Sequence, residues 1–261
     1  MAHALDGARF KVVWAQQHIN SLKSEIKRYL DQHPDEIRSQ PYMHPQHTWL
    51  PPAQVLKAII PSETSQALSG IIGDVVTNAR AALDYIAWEL AQRYFAPPLD
   101  ITKFKDRKLA SFPVFENPAE IKDCFDRLAD RQIPAGAISE IKTVQPYNAG
   151  YESIWLLTQL VNQDKHRLLL PTIGEVDGVS IEFAQSPVDG FKPGTINIPR
   201  KNLAAIGKNH VFQSDMQMKA KPAISVTWKD VSMPREPLIV TLENIVRCVD
   251  GIVPRFDKFF T

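Results

Sequence analysis

Apolar residues recur at near-helical spacing from Ala8 to about Leu30, where Phe10, Val13, Trp14, Ile19, Leu22, Ile26, Tyr29 and Leu30 are interleaved with Lys, Gln and Glu. The pattern predicts an amphipathic helix with one solvated face. The segment that follows, QHPDEIRSQPYMHPQHTWLPP, cannot continue it. Each proline removes an amide donor and clashes with the turn before it. This segment reads as a long loop with one short strand leading to Lys57-Ala58-Ile59-Ile60. A second helix opens among Ser62, Glu63, Thr64 and Ser65, whose hydroxyls suit an N-cap, and continues through Leu68, Ile71, Ile72, Val75 and Val76. It runs to Tyr94 or Phe95 and is stopped by Pro97-Pro98.

Beyond it the pattern is broken into shorter pieces. LDITKFKDRKLAS reads as a charged loop, and Phe112-Pro113-Val114-Phe115 as a short extended piece. Asn117-Pro118-Ala119-Glu120 is a helix start, with Asn as cap and Pro in the first turn, and that helix runs to about Asp130. A shorter helix covers Gly136–Thr143, and a fourth clear one Ser153–Leu170. After Pro171, VSIEFA, TINIP and AISVTW alternate as strands should and are separated by turn residues, which predicts an antiparallel meander of three or four members. A last amphipathic helix from about Leu238 is bent or broken by Gly251 and Pro254. The expected fold is therefore α+β. Four to five bundled helices (1–171) pack with a small β-meander (about 172–235), and a C-terminal helix (236–261) closes a single domain spanning 1–261.

Composition narrows the function classes. The chain has 261 residues, 30 basic and 29 acidic, for a net charge of +1. That balance argues against a dedicated nucleic-acid coat or an anionic-membrane binder. Cys124 and Cys248 lie in apolar helical patterns without C-x-x-C spacing, so free thiols in a reducing compartment are expected. The amino terminus lacks a signal-like apolar region and no stretch approaches 18 uninterrupted apolar residues, so the expected setting is cytoplasmic, with no membrane partner. His33, His44 and His47 share the proline-rich loop but lack an acidic or Cys partner at ligand spacing, and no metal or cofactor is expected.

The candidate chemistry lies on two helices. In DVVTNARAALDYIAWEL, Asp74 and Asn78 are four apart, as are Arg80 and Asp84, so their side chains stack along adjacent stripes. The surrounding alanines let another helix approach closely, which raises the stakes of every polar group there. In QLVNQDKHRLLL, Asn162 and His166 share a stripe that flanks the packed side, while Gln163 and Lys165 point elsewhere; Asp164 and Arg167 lie on a neighbouring stripe. The two sets are expected to meet at a helix crossing. His166, Asp84 and Asp164 are the candidate catalytic residues. Asn78, Arg80, Asn162 and Arg167 are the candidate ligand-binding residues, since a histidine beside carboxylates can move protons near neutral pH and arginine binds anions. The bland alternative is a polar network that only specifies packing.

Asn78–Tyr85 (N-x-R-x-A-L-D-Y), Phe112–Phe115, Gln145-Pro146-Tyr147-Asn148 and Leu160–Arg167 (with N-x-D-K-H-R) together resemble a widespread set of bacterial proteins of similar length to which no activity is attached. That resemblance spans roughly 70–170 and implies a shared fold more than a function. The paired long helices are also similar, more weakly, to HEPN-type helical domains. That likeness implies metal-independent ribonuclease chemistry where an Arg is followed by a polar residue and then a His four to six residues on. The nearest matches are Arg28–His33 and Arg38–His44, whereas His166-Arg167 has the order reversed. Glycine-rich phosphate loops and a G-x-S-x-G elbow are absent from the sequence. Trp14, Trp49, Trp88, Trp155 and Trp228 are spread through separate elements, as core residues are. Two readings follow. One is a binding or interaction protein built on the polar crossing, with a homodimer, RNA or a small anionic ligand as partner. The other is a HEPN-like ribonuclease or other hydrolase using His166 with Arg80 or Arg167.

Overall fold

The computed structural model describes residues 3–32, 37–42, 53–58, 66–100, 102–166, 169, 171–183, 194–199, 218–228 and 237–261. Two long helices, α1 (Asp6–Gln32) and α2 (Gln66–Tyr94), begin it. Along α2, Ile72, Val75, Ala79, Ala82, Leu83 and Ile86 are fully enclosed, a spacing of three and four residues that makes one broad apolar face. Each such Val, Leu or Ile contributes about 1.5–3 kcal/mol by leaving water, and the alanines between them let neighbours come close.

Shorter elements cover that face. They are α3 (Phe104–Leu109), a 3-10 turn (Pro118–Glu120), α4 (Lys122–Asp130), α5 (Ala135–Thr143) and α6 (Glu152–His166). α6 packs on α2 through Ile154, Leu157 and Leu160, which are buried at the same helical spacing. α7 (Leu238–Ile252) runs into a 3-10 turn at Val253–Phe259, so the expected break at Gly251 and Pro254 is a change of helix type. From that turn Phe256 meets Phe112 edge to face at 6.2 Å. The Tyr94 hydroxyl donates to the Phe259 carbonyl at 2.6 Å, and the Arg9 guanidinium donates to Asp257 at 2.6 Å. These bonds tie the carboxy-terminal turn to α2 and α1.

The chain divides into two compact units, one of Met1–Glu25, Gln66–Leu170 and Ile239–Thr261, the other of Ile26–Ser65 and Pro171–Leu238. The second holds the strands. β1 (Ile37–Tyr42) pairs antiparallel with β2 (Ala53–Ala58), Ile37 opposite Ala58 and Tyr42 opposite Ala53. β3 (Pro171–Phe183), β4 (Gly194–Pro199) and β5 (Met218–Trp228) form an antiparallel sheet in the order β4-β3-β5.

This overturns the α+β expectation of a bundle packed with a meander. The first unit is helical and contains no strand among its described residues; its core is helix on helix, and the strands belong to the other unit. The strand order differs as well. β3 has 13 residues, enough to pair with β5 along its length and with β4 over Gly178–Phe183, so it lies in the middle. Gly174, Asp177 and Gly178 disguise its first half as a turn, and the β3–β5 register shifts there, between Ile173 and Val176 and again before Gly178. In the proline-rich segment two paired strands replace the expected loop with one strand; His33, His44 and His47 lie outside the described residues. The charged stretch after Pro98 carries α3 where a loop was expected.

The apolar stripe of α1 is also rotated from the expected one. Phe10 is 58% and Val13 53% exposed, while Leu5, Ala8, Val12, Ala15, Ile19 and Leu22 face the core. Small residues win because the helices are close: a Cβ on Gly7 would sit 2.7 Å from the Tyr85 ring. Phe10 and Trp14 cover each other edge to face at 5.8 Å instead. Among the described residues no helix is long and apolar enough to cross a membrane.

Two glycines of α2 separate propensity from packing. A Cβ on Gly70 meets nothing within 4 Å, whereas one on Gly73 falls 2.8 Å from a carboxylate oxygen of Asp164. Gly70→Ala is expected to gain up to about 1 kcal/mol from helix propensity. Gly73→Ala is expected to gain less than Gly70→Ala, since the Asp164 carboxylate must turn aside to admit the methyl group. Urea unfolding of both variants checks this, and equal effects would remove the close approach of α6.

Candidate binding cleft

The segment Phe112–Phe115 is held by side chains rather than by a neighbouring strand. Pro113 fixes its own φ and keeps Phe112 out of the helical region. Arg80 and Asp84, one turn apart on α2, bond to each other through Nη2 and Oδ1 at 2.9 Å and through Nε and Oδ2 at 3.2 Å. Asp84 also accepts the Phe112 N–H at 2.9 Å, and Arg80 donates to the Phe112 carbonyl at 2.6 Å. The ion pair thus serves both main-chain groups of one residue, as an antiparallel partner residue would. Gln145, fully buried, does the same for the next positions: its amide nitrogen donates to the Pro113 carbonyl at 2.9 Å and its oxygen accepts the Phe115 N–H at 3.0 Å. A second bond, to the Ile141 carbonyl at 3.0 Å, anchors Gln145 to the end of α5.

A cleft of about 800 Å³ opens beside this segment, within the helical unit. α2 supplies Arg80 and Asp84, α6 supplies Thr158, Val161, Asn162 and Lys165, and α3 and α4 supply Lys108, Cys124 and Arg127. Its charges sort themselves. Arg80 is engaged by Asp84, and Arg127 is bonded to Asp123. Lys108 and Lys165 are exposed and have no acidic partner among the described residues; Glu120 is the remaining charged group on the lining. Among the described residues the lining side chains therefore carry four positive and three negative charges, with the unpaired ones predominantly basic. Burial pushes the Cys124 thiol up, against a weaker downward pull from Lys108, so it is a protonated and poor nucleophile near neutral pH.

The residues singled out from the sequence are divided among three surroundings. Arg80, Asp84 and Asn162 come together in the cleft. Asn78 does not join them: its side-chain NH2 donates to the Asp74 carbonyl at 2.8 Å and its oxygen accepts from Lys11 of α1 at 3.1 Å. Asp164 faces α2 at Gly73 rather than the cleft. His166 is exposed at the end of α6, bonded to neither Asp84 nor Asn78, and does not line the cleft; Arg167 lies outside the described residues. The expected meeting of His166 and Asp164 with Asn78, Arg80 and Asp84 is replaced by these separate contacts. The reason is angular. The stripe Thr158, Val161, Asn162, Lys165 looks into the cleft, and Leu157, Leu160, Asp164 looks at α2, which leaves His166 on neither. Lys165, read as pointing elsewhere, is the cation that α6 contributes. Lys108, Val114 and Gln145 had no assigned role, although Phe112–Phe115 and Gln145–Asn148 both stood out as motifs.

Asp164 carries an electrostatic cost. Burial against α2, and then the like charge of Asp74 nearby, hold its carboxyl above the ordinary value. No family model, curated protein or solved structure is matched by the chain.

Asp84→Ala is expected to cost about 1–3 kcal/mol, because it strands the half-buried Arg80 and the Phe112 N–H. His166→Ala, at an exposed position, is expected to stay within about 0.5 kcal/mol of the parent. Chemical denaturation of both decides it, and a His166 effect as large as that of Asp84 would move the weight back to the histidine. The raised Asp164 pKa fixes a sign as well. Its protonated form favours folding below the unfolded pKa, and that contribution is lost as pH rises through the higher folded value. Asp164→Asn is therefore expected to raise the melting temperature at neutral pH, with the difference vanishing in acid below the carboxylate range. A melting-temperature difference that persists in acid would show that the charge is not the cause.

Proposed function

We propose that the helical unit is a binding module, cytoplasmic in setting, whose cleft takes a ligand bearing an anionic group. The observation that carries this reading is the pairing of charges. Arg80 and Arg127 are already engaged by carboxylates, which leaves Lys108 and Lys165 to meet an incoming anion. A cavity of this size, part apolar and with a few convergent polar groups, is the usual form of a small-ligand site. Asn162 adds a neutral donor and acceptor to the same wall. The residues Arg80 and Asp84 are read as the frame of the site, since their hydrogen-bonding capacity is largely spent on each other and on Phe112. The hydrolase alternative asks His166 to act beside Arg80, and the binding reading is preferred because His166 is not part of the cleft lining.

Inorganic phosphate is the simplest probe. Titration is expected to raise the melting temperature and to move the amide resonances of residues around Lys108 and Lys165, with the effect fading as salt screens it. Lys108→Ala and Lys165→Ala are each expected to weaken binding a few-fold, about 0.2–1 kcal/mol for an exposed charge pair. A phosphate response unchanged in the double variant would refute the cleft as the anion site.

A further inference from the structure

The hydrogen-bond account of Phe112–Phe115 has one gap. Phe112 is served on one edge by Arg80 and Asp84, and Pro113 and Phe115 on the other by Gln145. Val114 N–H and C=O have no protein partner among the described residues, and Val114 lines the cleft. Main-chain groups alternate between the two edges of an extended chain, so those of Val114 share the edge of Phe112, the edge on which α2 supplies Arg80 and Asp84. There the ion pair already occupies the place of a partner residue at Phe112, and two residues further on, at Val114, that place is free. Gln145 holds the opposite edge through the Pro113 carbonyl and the Phe115 N–H. A main-chain donor and acceptor held ready in this way suit a peptide unit, as when an extended peptide adds to a strand edge.

Resting on the anion-cleft reading above, we infer that the ligand class is an extended acidic peptide segment, which pairs its main chain with Val114 and sets its carboxylates on Lys108 and Lys165. Charge complementarity selects the acidic chain: the unpaired side chains beside Val114 are predominantly cationic, and Arg80 and Arg127 are already neutralised. The length of a strand partner is limited, because Asp84 and Arg80 block pairing at Phe112. Binding is therefore short-range and weak in main-chain terms, and it depends on the carboxylates for much of its strength.

The probe is an acetylated, amidated Glu-Val-Glu-Val-Glu peptide, titrated into the whole isotope-labelled chain beside an analogue whose interior amides are N-methylated. The expected result is a shift of the Val114 amide resonance with the first peptide and roughly tenfold weaker binding of the second, the loss of a main-chain hydrogen bond. Lys108→Ala with Lys165→Ala is expected to weaken both peptides. If both peptides bind equally, or move the resonances around Lys108 and Lys165 but not that of Val114, main-chain pairing is overturned while the anion cleft stands. If phosphate binds and neither peptide does, the peptide class is overturned alone. If neither phosphate nor peptide perturbs the cleft, both readings fall.

Discussion

The ion pair between Arg80 and Asp84 does a job that its position on one helix does not announce. An exposed pair four residues apart on a helix adds only a few tenths of a kcal/mol, about 0.3–0.5. Here the same two side chains close on the N–H and C=O of Phe112, 28 to 32 residues away in sequence. Phe112 is in turn buried against Phe256 from the carboxy-terminal turn. A local charge pair is thereby converted into a long-range clamp, and the main-chain groups that would otherwise be stranded in the interior are satisfied. With Gln145 on the other edge, the segment is held extended without a sheet. The cleft opens beside a segment fastened by side chains rather than by a second strand.

The helical part was largely legible in the sequence. The end of α2, the span of α5 and the start of α7 follow from apolar periodicity and from Pro97 and Pro98, because those signals act within one or two turns. Asn117 caps a 3-10 turn instead, and α4 begins after it at Lys122, while the expected opening of α2 at Ser62–Ser65 lies outside the described residues. Which face of α1 is buried was not legible. Periodicity favours the large side chains Phe10, Val13 and Trp14, but the helix is oriented by how closely α2 can approach, and close approach favours Gly7, Ala8 and Ala15. Hydrophobicity counts transfer from water; it does not count the distance between helix axes. The strands show the same limit from another side. Pairing β3 between β4 and β5 depends on partners far along the chain, and the glycines in its first half look local while acting in the register.

The candidate site divides along the same line. That Arg80 and Asp84 would bond to each other follows from spacing, and so does Asn162 on the packed flank of α6. That Asn78 turns to Lys11, and that Asp164 turns to Gly73, follows from which helix happens to lie opposite. One residue of helix is a rotation of about 100°, so Lys165 can line the cleft while His166, next along the helix, does not. Histidine chemistry is versatile, but His166 is not on the cleft lining. The lysine beside it has the geometry.

Asp164 bears on the same question of role. A carboxylate pressed against a helix backbone beside a like charge is destabilising, and an apolar residue at this position would extend the Leu157–Leu160 stripe. Gly73 makes the fit possible by having no Cβ, and Gly73 itself weakens α2. Two locally unfavourable choices therefore support each other, and neither benefits packing alone. Their common effect is to bring the end of α6 close against α2 about two turns before Arg80 and next to Lys165. The acid–glycine contact lies at the end of α6 that also carries Lys165 of the cleft wall. The cost of the raised Asp164 carboxyl falls on stability at neutral pH.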